Sequence, residues 1–303
     1  MARASLSLPK HPFFEKGYAL VLAASLAFAT SSPLSRLARP AHPFLIACCR
    51  VALAALLLAV FDLGGVARAF HALTGPQRAR VLLAGALLGA HFALFQWGLD
   101  ETSLAAAVSL VSLEPISVVL SAWVLFGIAP RRLERISVLV ATAGAVIIAQ
   151  GAGAGEHRLK GDLLVLGAVI LFGLYVASAR ALRDVIAAKH YAPLVYAAAA
   201  LSLLVTLPFV PQSSSALIWP LSTDSILAIV ALALIPTALG HTLVQIGART
   251  LSPSLISLVC PGETLGSIAI GLALFAKPPS LIEAVGCAVI LVGASLGVIS
   301  QRS

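Results

Sequence analysis

The sequence predicts an all-α polytopic membrane protein, with ten transmembrane helices in two inverted five-helix repeats. Three observations predict it. Sixty per cent of the 303 residues are hydrophobic and only 11% are charged, with a mean hydropathy of +1.02. A soluble domain carries about 25% charged residues, so this chain cannot cover a water-facing surface. Apolar runs near the ~20 residues that a span requires recur ten times, and the two halves of the chain resemble each other.

In order, the runs cover residues 17–36, 43–63, 79–99, 103–127, 134–151, 161–180, 191–210, 224–248, 252–276 and 281–300. The first follows basic residues and contains the small triplet Ala27-Phe28-Ala29, which mimics a secretory signal. It is interrupted by Thr30-Ser31-Ser32-Pro33, where hydroxyls and a proline mark a bent helix, so Pro33 is a candidate hinge. The second carries Arg50 several residues inside, from where the side chain can snorkel outward. The third opens with Gly85 and Gly89, at a spacing that permits close helix packing. The fourth holds Glu114 and Pro115, the eighth Pro236 and the ninth Pro261 and Glu263; all three prolines are candidate hinges. The fifth and tenth close the two halves.

Lys16–Arg39 aligns without a gap onto Lys160–Arg183 at an offset of 144, and residues 94–114 align onto 243–263 at an offset of 149. The second register also carries Phe126 onto Phe275, Glu134 onto Glu283 and Gly144 onto Gly293. Residues 1–155 and 156–303 thus form two repeats. The first span has a mate deep in the chain, which marks it as a structural helix and not a removable signal. Five spans per half is an odd number, so the second half enters the membrane from the opposite side.

The basic residues agree. With the N-terminus inside, 14 Lys and Arg fall on the inner side, 5 on the outer side, and Arg50 lies within a span. Basic residues favour cytoplasmic loops, so both termini are expected in the cytoplasm. The same bias accounts for the net charge of +8 without a nucleic-acid partner. Cys48, Cys49, Cys260 and Cys287 all fall in spans, lack metal-ligand spacing and read as small packing residues.

Of the twelve acidic residues, only Glu114 and Glu263 lie well inside expected spans, at equivalent repeat positions. An ionised carboxylate at mid-depth costs ~2.5–3.5 kcal/mol on insertion scales. Such a group faces a cavity, where it binds an amine or carries a proton, or it bonds backbone freed by the adjacent proline; both readings stay open. His91 and His241 are the only two of seven histidines in spans, and Gln96 and Gln245 coincide in the repeat. They relay protons or hold a carboxylate, or else they serve as interhelical hydrogen bonds. Phe95 and Tyr175 complete the candidate cavity. Phe92, Phe172, Trp97 and Trp123 lie nearby, Trp97 and Trp219 also suiting interface anchors. No metal site, Walker motif, nucleophile elbow or dinucleotide fingerprint is present, so no cofactor and no enzymatic activity are expected.

Residues 94–149, beginning LFQWGLDETSLAAAVSLVSLEPISVVL, resemble the repeat unit of the EamA-type transporters of the drug/metabolite transporter superfamily. Residues 236–300 resemble the second copy, and Arg50 is similar to the arginine that opens the family's second span. The resemblance implies a ten-helix inner-membrane carrier that exports amino acids or related metabolites, the aromatic amino acid exporters among its relatives. It implies a cavity between the third, fourth, eighth and ninth helices, on which His91, Gln96, Glu114, His241, Gln245 and Glu263 fall; Tyr175 lies on the sixth, a contributing helix.

Inverted repeats exchange roles between two conformations, and their substrate sites lie near the midplane at broken helices. The expected function is ATP-independent export of a small-molecule substrate by alternating access, with lipid as the surrounding partner. Export of multidrug or cationic compounds is the alternative, and a membrane scaffold or an intramembrane enzyme is less favoured. Oligomeric state is not fixed by the sequence; a monomer is compatible with it.

Overall fold

The structure, a computed structural model, describes residues 12–127, 129–151, 153, 155–180, 182, 184–210, 221–250 and 259–300. Side chains at 12–18, 122, 126, 177, 179, 180, 245, 248–250, 261, 297, 298 and 300 are outside that description. So are Trp219 and the basic residues Arg3, Lys10, Arg183 and Arg302.

Among the described residues every regular element is helical. In chain order they are α1 (Pro12–Ala29), α2 (Ser31–Leu37), α3 (Pro43–Ala59), α4 (Leu63–Ala72), α5 (Gly75–Glu101), α6 (Leu104–Val111) and α7 (Glu114–Phe126). There follow α8 (Arg132–Gln150), α9 (Leu159–Arg180), α10 (Ala188–Thr206), a 3₁₀ turn (Leu207–Phe209) and α11 (Thr223–Leu232). A π-helical segment (Ala233–His241), α12 (Thr242–Thr250), α13 (Val259–Phe275) and α14 (Leu281–Ser300) complete the chain.

Seven helical segments are long and apolar enough to cross a membrane: Ala19–Leu37, Gly75–Glu101, Leu104–Leu125, Arg132–Gln150, Leu159–Val176, Ala188–Phe209 and Thr223–Val244. The pair α3 and α4 makes an eighth if taken together, but it bends by 100°. The bend follows Val60 and Phe61, where Asp62 caps α4 by accepting from the Gly65 N–H at 2.9 Å. Gly262–Phe275 and Leu281–Leu296 are apolar but shorter. Leu22, Leu56, Leu139, Leu163, Leu201 and Leu265 are each more than half exposed, as a lipid-facing surface requires.

The expected hinges fall where helices break. Thr30 separates α1 from α2, putting Pro33 in the first turn of α2, and Ser112-Leu113 separate α6 from α7, putting Pro115 in the first turn of α7. A proline is tolerated there because a first-turn N–H has no intrahelical partner. Position 261 falls in the first turn of α13, and Pro236 sits inside the π-helical segment.

Helix packing is reciprocal between the halves. α5 packs on α9, and the π-helical segment with α12 packs on α1; α6 and α7 pack on α9, and α13 packs on α1. At the crossing of α8 and α14, Gly144 abuts Ile290 and Gly293 abuts Ala141. The 149-residue register aligns Gly144 with Gly293 and Ala141 with Ile290. Gly85 and Gly89 abut Ala198 and Ser202 of α10, the packing role that their spacing suggests.

One end of the bundle is laced by charge. Arg36 pairs with Glu156 at 3.0 Å, Lys277 pairs with the same carboxylate, Arg39 pairs with Asp100 at 2.6 Å and Lys160 with Glu101 at 2.6 Å. Buried His157 lies 2.8 Å from Asp162 and 3.5 Å from Glu283. At the opposite end, Asp62 accepts from His190 at 2.9 Å and Lys189 at 3.4 Å. The His190 bond, with the Gly65 N–H behind it, draws the Asp62 carboxyl down to about 2.

A side chain at Gly293 would meet α8 backbone, its Cβ 2.6 Å from the Ala141 nitrogen. Gly293→Leu is therefore expected to destabilise the bundle by ~1–3 kcal/mol, read as a lower melting temperature in detergent; an unchanged melting temperature would show that the crossing can open freely. Glu156 yields a second expectation. Its hydrogen bond from Lys277, with the Arg36 charge behind it, holds this carboxyl below its usual value of 4.5. A carboxyl depressed in the folded state stabilises above its unfolded value and loses that contribution as pH falls. Hydrogen exchange in residues 157–162, corrected for intrinsic rate, should rise below about pH 4.5 in wild type and be raised already at pH 7 in Glu156→Gln.

Candidate functional site

Pro236 has no N–H to offer the carbonyl of Leu232, and the ladder there widens into the π-helical segment. The Thr237 hydroxyl takes over that carbonyl, donating to Leu232 O at 2.7 Å. The Thr237 hydroxyl oxygen in turn accepts from Arg50 Nε at 3.0 Å. A broken helix in the second half thus holds the charged side chain that rises from α3 in the first.

Arg50 is wholly buried. It turns into the bundle and does not snorkel outward as its place near a span end suggests. The difference has a physical cause: the protein itself supplies its partners. Besides Thr237, its Nη2 donates to Ser31 Oγ at 3.4 Å, at the break between α1 and α2, and the guanidinium stacks on Phe92 with Cζ 4.3 Å from the ring centroid. Its Nη1 is buried without a hydrogen-bond partner among the described residues.

Phe92 belongs to a ring cluster drawn from four elements. His241 of the π-helical segment lies 4.6 Å from Phe28 of α1, 5.2 Å from Phe92 of α5 and 6.4 Å from Phe172 of α9, between centroids. His91 lies 5.3 Å from Phe172 and is parallel to Phe95 at 6.3 Å, and Tyr175 lies 6.2 Å from Phe172. His91 Nδ1 is 2.9 Å from Ala168 O; a carbonyl only accepts, so Nδ1 carries the proton and Nε2 is left to accept or to take a second one.

Glu114 and Glu263 are both buried and close enough to interact electrostatically. Cys260 donates its thiol to Glu114 Oε2 at 3.7 Å, and Glu263 interacts electrostatically with Arg50. The Glu114 break is secured by α13: the Ser112 hydroxyl bonds Thr264, which also donates to Val108 O at 3.0 Å. Gln96 turns to α2 instead, donating to Ser35 Oγ at 2.9 Å, while Ser35 donates to Ser31 O at 2.8 Å. Among the described residues no group of three or more His, Cys, Asp or Glu side chains is placed to hold a metal.

The structure therefore brings His91, Phe95, Tyr175 and His241 into one ring cluster and buries Glu114 and Glu263 near enough to interact electrostatically, while Arg50 meets the rings at Phe92 and interacts electrostatically with Glu263. Gln96 stands beside them on the α2 side; the side chains of Gln245 and Pro261 lie outside the described residues. Sequence reasoning missed Phe28, Ser31 and Thr237 as members. Phe28 was legible, because the 144-residue offset maps it onto Phe172. Thr237 carried only a weak signal, a hydroxyl directly after a mid-span proline.

The model of the EamA-like transporter family matches residues 15–150. A solved structure described only as a crystal structure of a protein superposes with a TM-score of 0.66 at 22% identity, covering 95% of this chain and 98% of its own; it shows the fold alone. No curated protein matches the chain.

Removing the Thr237 hydroxyl strips partners from Arg50 Nε and Leu232 O together. Thr237→Val should lower stability by ~1–3 kcal/mol, read as a depressed melting temperature in detergent, while Thr237→Ser keeps the hydroxyl and stays near wild type. Equal melting temperatures for the two variants would show that the hydroxyl holds neither group.

Proposed function

We propose that this EamA-like transporter is a secondary, ATP-independent inner-membrane exporter of amino acids or related small metabolites, working by alternating access. The single observation that carries the reading is the buried constellation at the helix breaks, in which Arg50, Glu114, Glu263 and the rings around His241 come from both halves of the chain. A span-embedded ion is costly unless it faces partners or a polar path, and here three such residues gather where α1, α6 and α11 are interrupted. A transporter site is built from broken helices and repeat-equivalent groups.

Two inverted five-helix repeats, residues 1–155 and 156–303, account for the reciprocal packing, for the meeting of Glu114 with its mate Glu263, and for the touching of Phe92 with its mate His241. In the ten-span reading α3, α13 and α14 are the second, ninth and tenth spans. The charge bias makes the laced end the outer one and puts both termini in the cytoplasm. Alternating access then requires the pairs of Arg36, Arg39, Lys160 and Lys277 to part when the outer side opens. Pro33, Pro115, Pro236 and Pro261 mark the joints about which the halves would move.

The buried constellation combines one fixed cation with carboxylates, rings and imidazoles, which suits a small zwitterion. Export of multidrug or cationic compounds is the second reading, favoured by the pairing of two carboxylates with aromatic faces. In either case His91, Phe95, Gln96, Glu114, Tyr175, His241, Gln245 and Glu263 are the proposed lining residues.

Counterflow of labelled amino acids into preloaded proteoliposomes is the direct test. Wild type should exchange at least one amino acid without a pH gradient. An inward proton gradient should raise net export several-fold in wild type and have little effect in Glu114→Gln if Glu114 carries the coupled proton. A panel with no exchange removes the amino-acid assignment, and a gradient response retained by Glu114→Gln removes the proton role.

A further inference from the structure

We propose that the Nη1 edge of Arg50 is the receptor for the substrate's carboxylate. The inference deepens the exporter reading above and rests on it, because it supplies the group that selects amino acids over amines.

A guanidinium presents five N–H donors in a planar fork and accepts nothing. In Arg50 the fork is used on two sides only: Nε donates to Thr237 at 3.0 Å and Nη2 to Ser31 at 3.4 Å. Nη1 is buried, and no hydrogen-bond partner meets it among the described residues. Buried polar groups of proteins are nearly all paired, and a charged donor left unpaired in a bilayer is costlier still. The neighbouring carboxylate does not fill the place: Glu263 interacts with Arg50 electrostatically, yet no ion pair within 4.0 Å joins them.

The surroundings hold Arg50 for this task. Its Cζ sits over the Phe92 ring at 4.3 Å, Thr237 and Ser31 fix two edges, and both hydroxyls sit where helices are interrupted. A fork clamped on three sides loses little freedom when a planar carboxylate arrives at the fourth. The rings of Phe92, Phe172 and His241 adjoin it and offer an apolar bed for a side chain. Glu263, which is buried and interacts electrostatically with Arg50, suits an ammonium.

Charge narrows the ligand class. With Glu114 and Glu263 in the same buried region, one guanidinium does not compensate a phosphate dianion, whereas a carboxylate that brings its own ammonium adds no net charge. The ligand class is therefore an α-amino acid or another small zwitterion, and neither a sugar phosphate nor a simple amine fits as well.

The test compares acids with their amides in the wild-type protein. L-phenylalanine and L-leucine, with L-phenylalaninamide and L-leucinamide, compete for counterflow of the labelled acid in proteoliposomes. Each amide should compete at least tenfold more weakly than its acid. Arg50→Lys, which keeps the charge but not the fork, should bring that ratio toward one. Amides that compete as well as acids, or better, overturn the carboxylate receptor while leaving an exporter, now of cations. A ratio unchanged in folded Arg50→Lys overturns it as well and assigns the free edge to Glu263 in another conformation. If neither acid is exchanged by wild type, the amino-acid assignment falls and this inference falls with it. Because the amide comparison needs no variant, misfolding of Arg50→Lys leaves the outcome decided.

Discussion

A permanently charged guanidinium, fully enclosed in a bundle made for lipid, is the constraint on which the rest of this structure depends. No apolar packing can stabilise Arg50; its charge must be met by dipoles, a ring face and carboxylates. Each of these comes from a different segment. Thr237 belongs to the π-helical segment, Ser31 to the start of α2, Phe92 to α5 and Glu263 to α13. Holding one side chain therefore ties together four elements that are distant in sequence and taken from both halves of the chain.

The helix breaks follow from the same requirement. An intact helix has no spare backbone dipole to offer, because its N–H and C=O groups are all committed within the segment. Breaks at Thr30 between α1 and α2, at Ser112-Leu113 between α6 and α7, and at Pro236 in the π-helical segment free polar groups and place hydroxyls beside them. The prolines are thus more than points of flexibility. In the π-helical segment Pro236 frees the carbonyl that Thr237 must satisfy, and Thr237 in turn fixes the arginine.

Outside this centre the molecule is held by close packing and, at one end, by charge. The α8–α14 crossing lets backbones touch through Gly144, Gly286 and Gly293, the means by which helices associate where the hydrophobic effect offers no preference between lipid and protein. It is a compact pair that can stay fixed. The laced end differs in kind: Arg39, Lys160 and Lys277 make exposed or half-exposed pairs, each worth little by itself and easily exchanged for water, around the more buried Arg36. A joint that must open is better made of such contacts than of interlocked glycines.

The sequence by itself determined the solvent, the helical class and the approximate place of nearly every helix, because a bilayer demands long apolar runs that composition exposes directly. It also offers a repeat register, in which Glu114 aligns with Glu263, Gly144 with Gly293 and Phe28 with Phe172. What only the tertiary structure decided was direction. Whether Arg50 points to lipid headgroups or to the centre depends on partners some 19 and 187 positions away, at Ser31 and Thr237, and no local pattern encodes that choice. The 100° bend between α3 and α4 at Asp62 was hidden for a similar reason: hydropathy counts apolar residues but does not record where a helix stops being straight. Gln96 looked like a cavity residue and turned to Ser35, since a polar side chain in a span takes the nearest partner that the fold brings to it. Periodicity and composition are properties of a segment, whereas a site is a property of which segments meet.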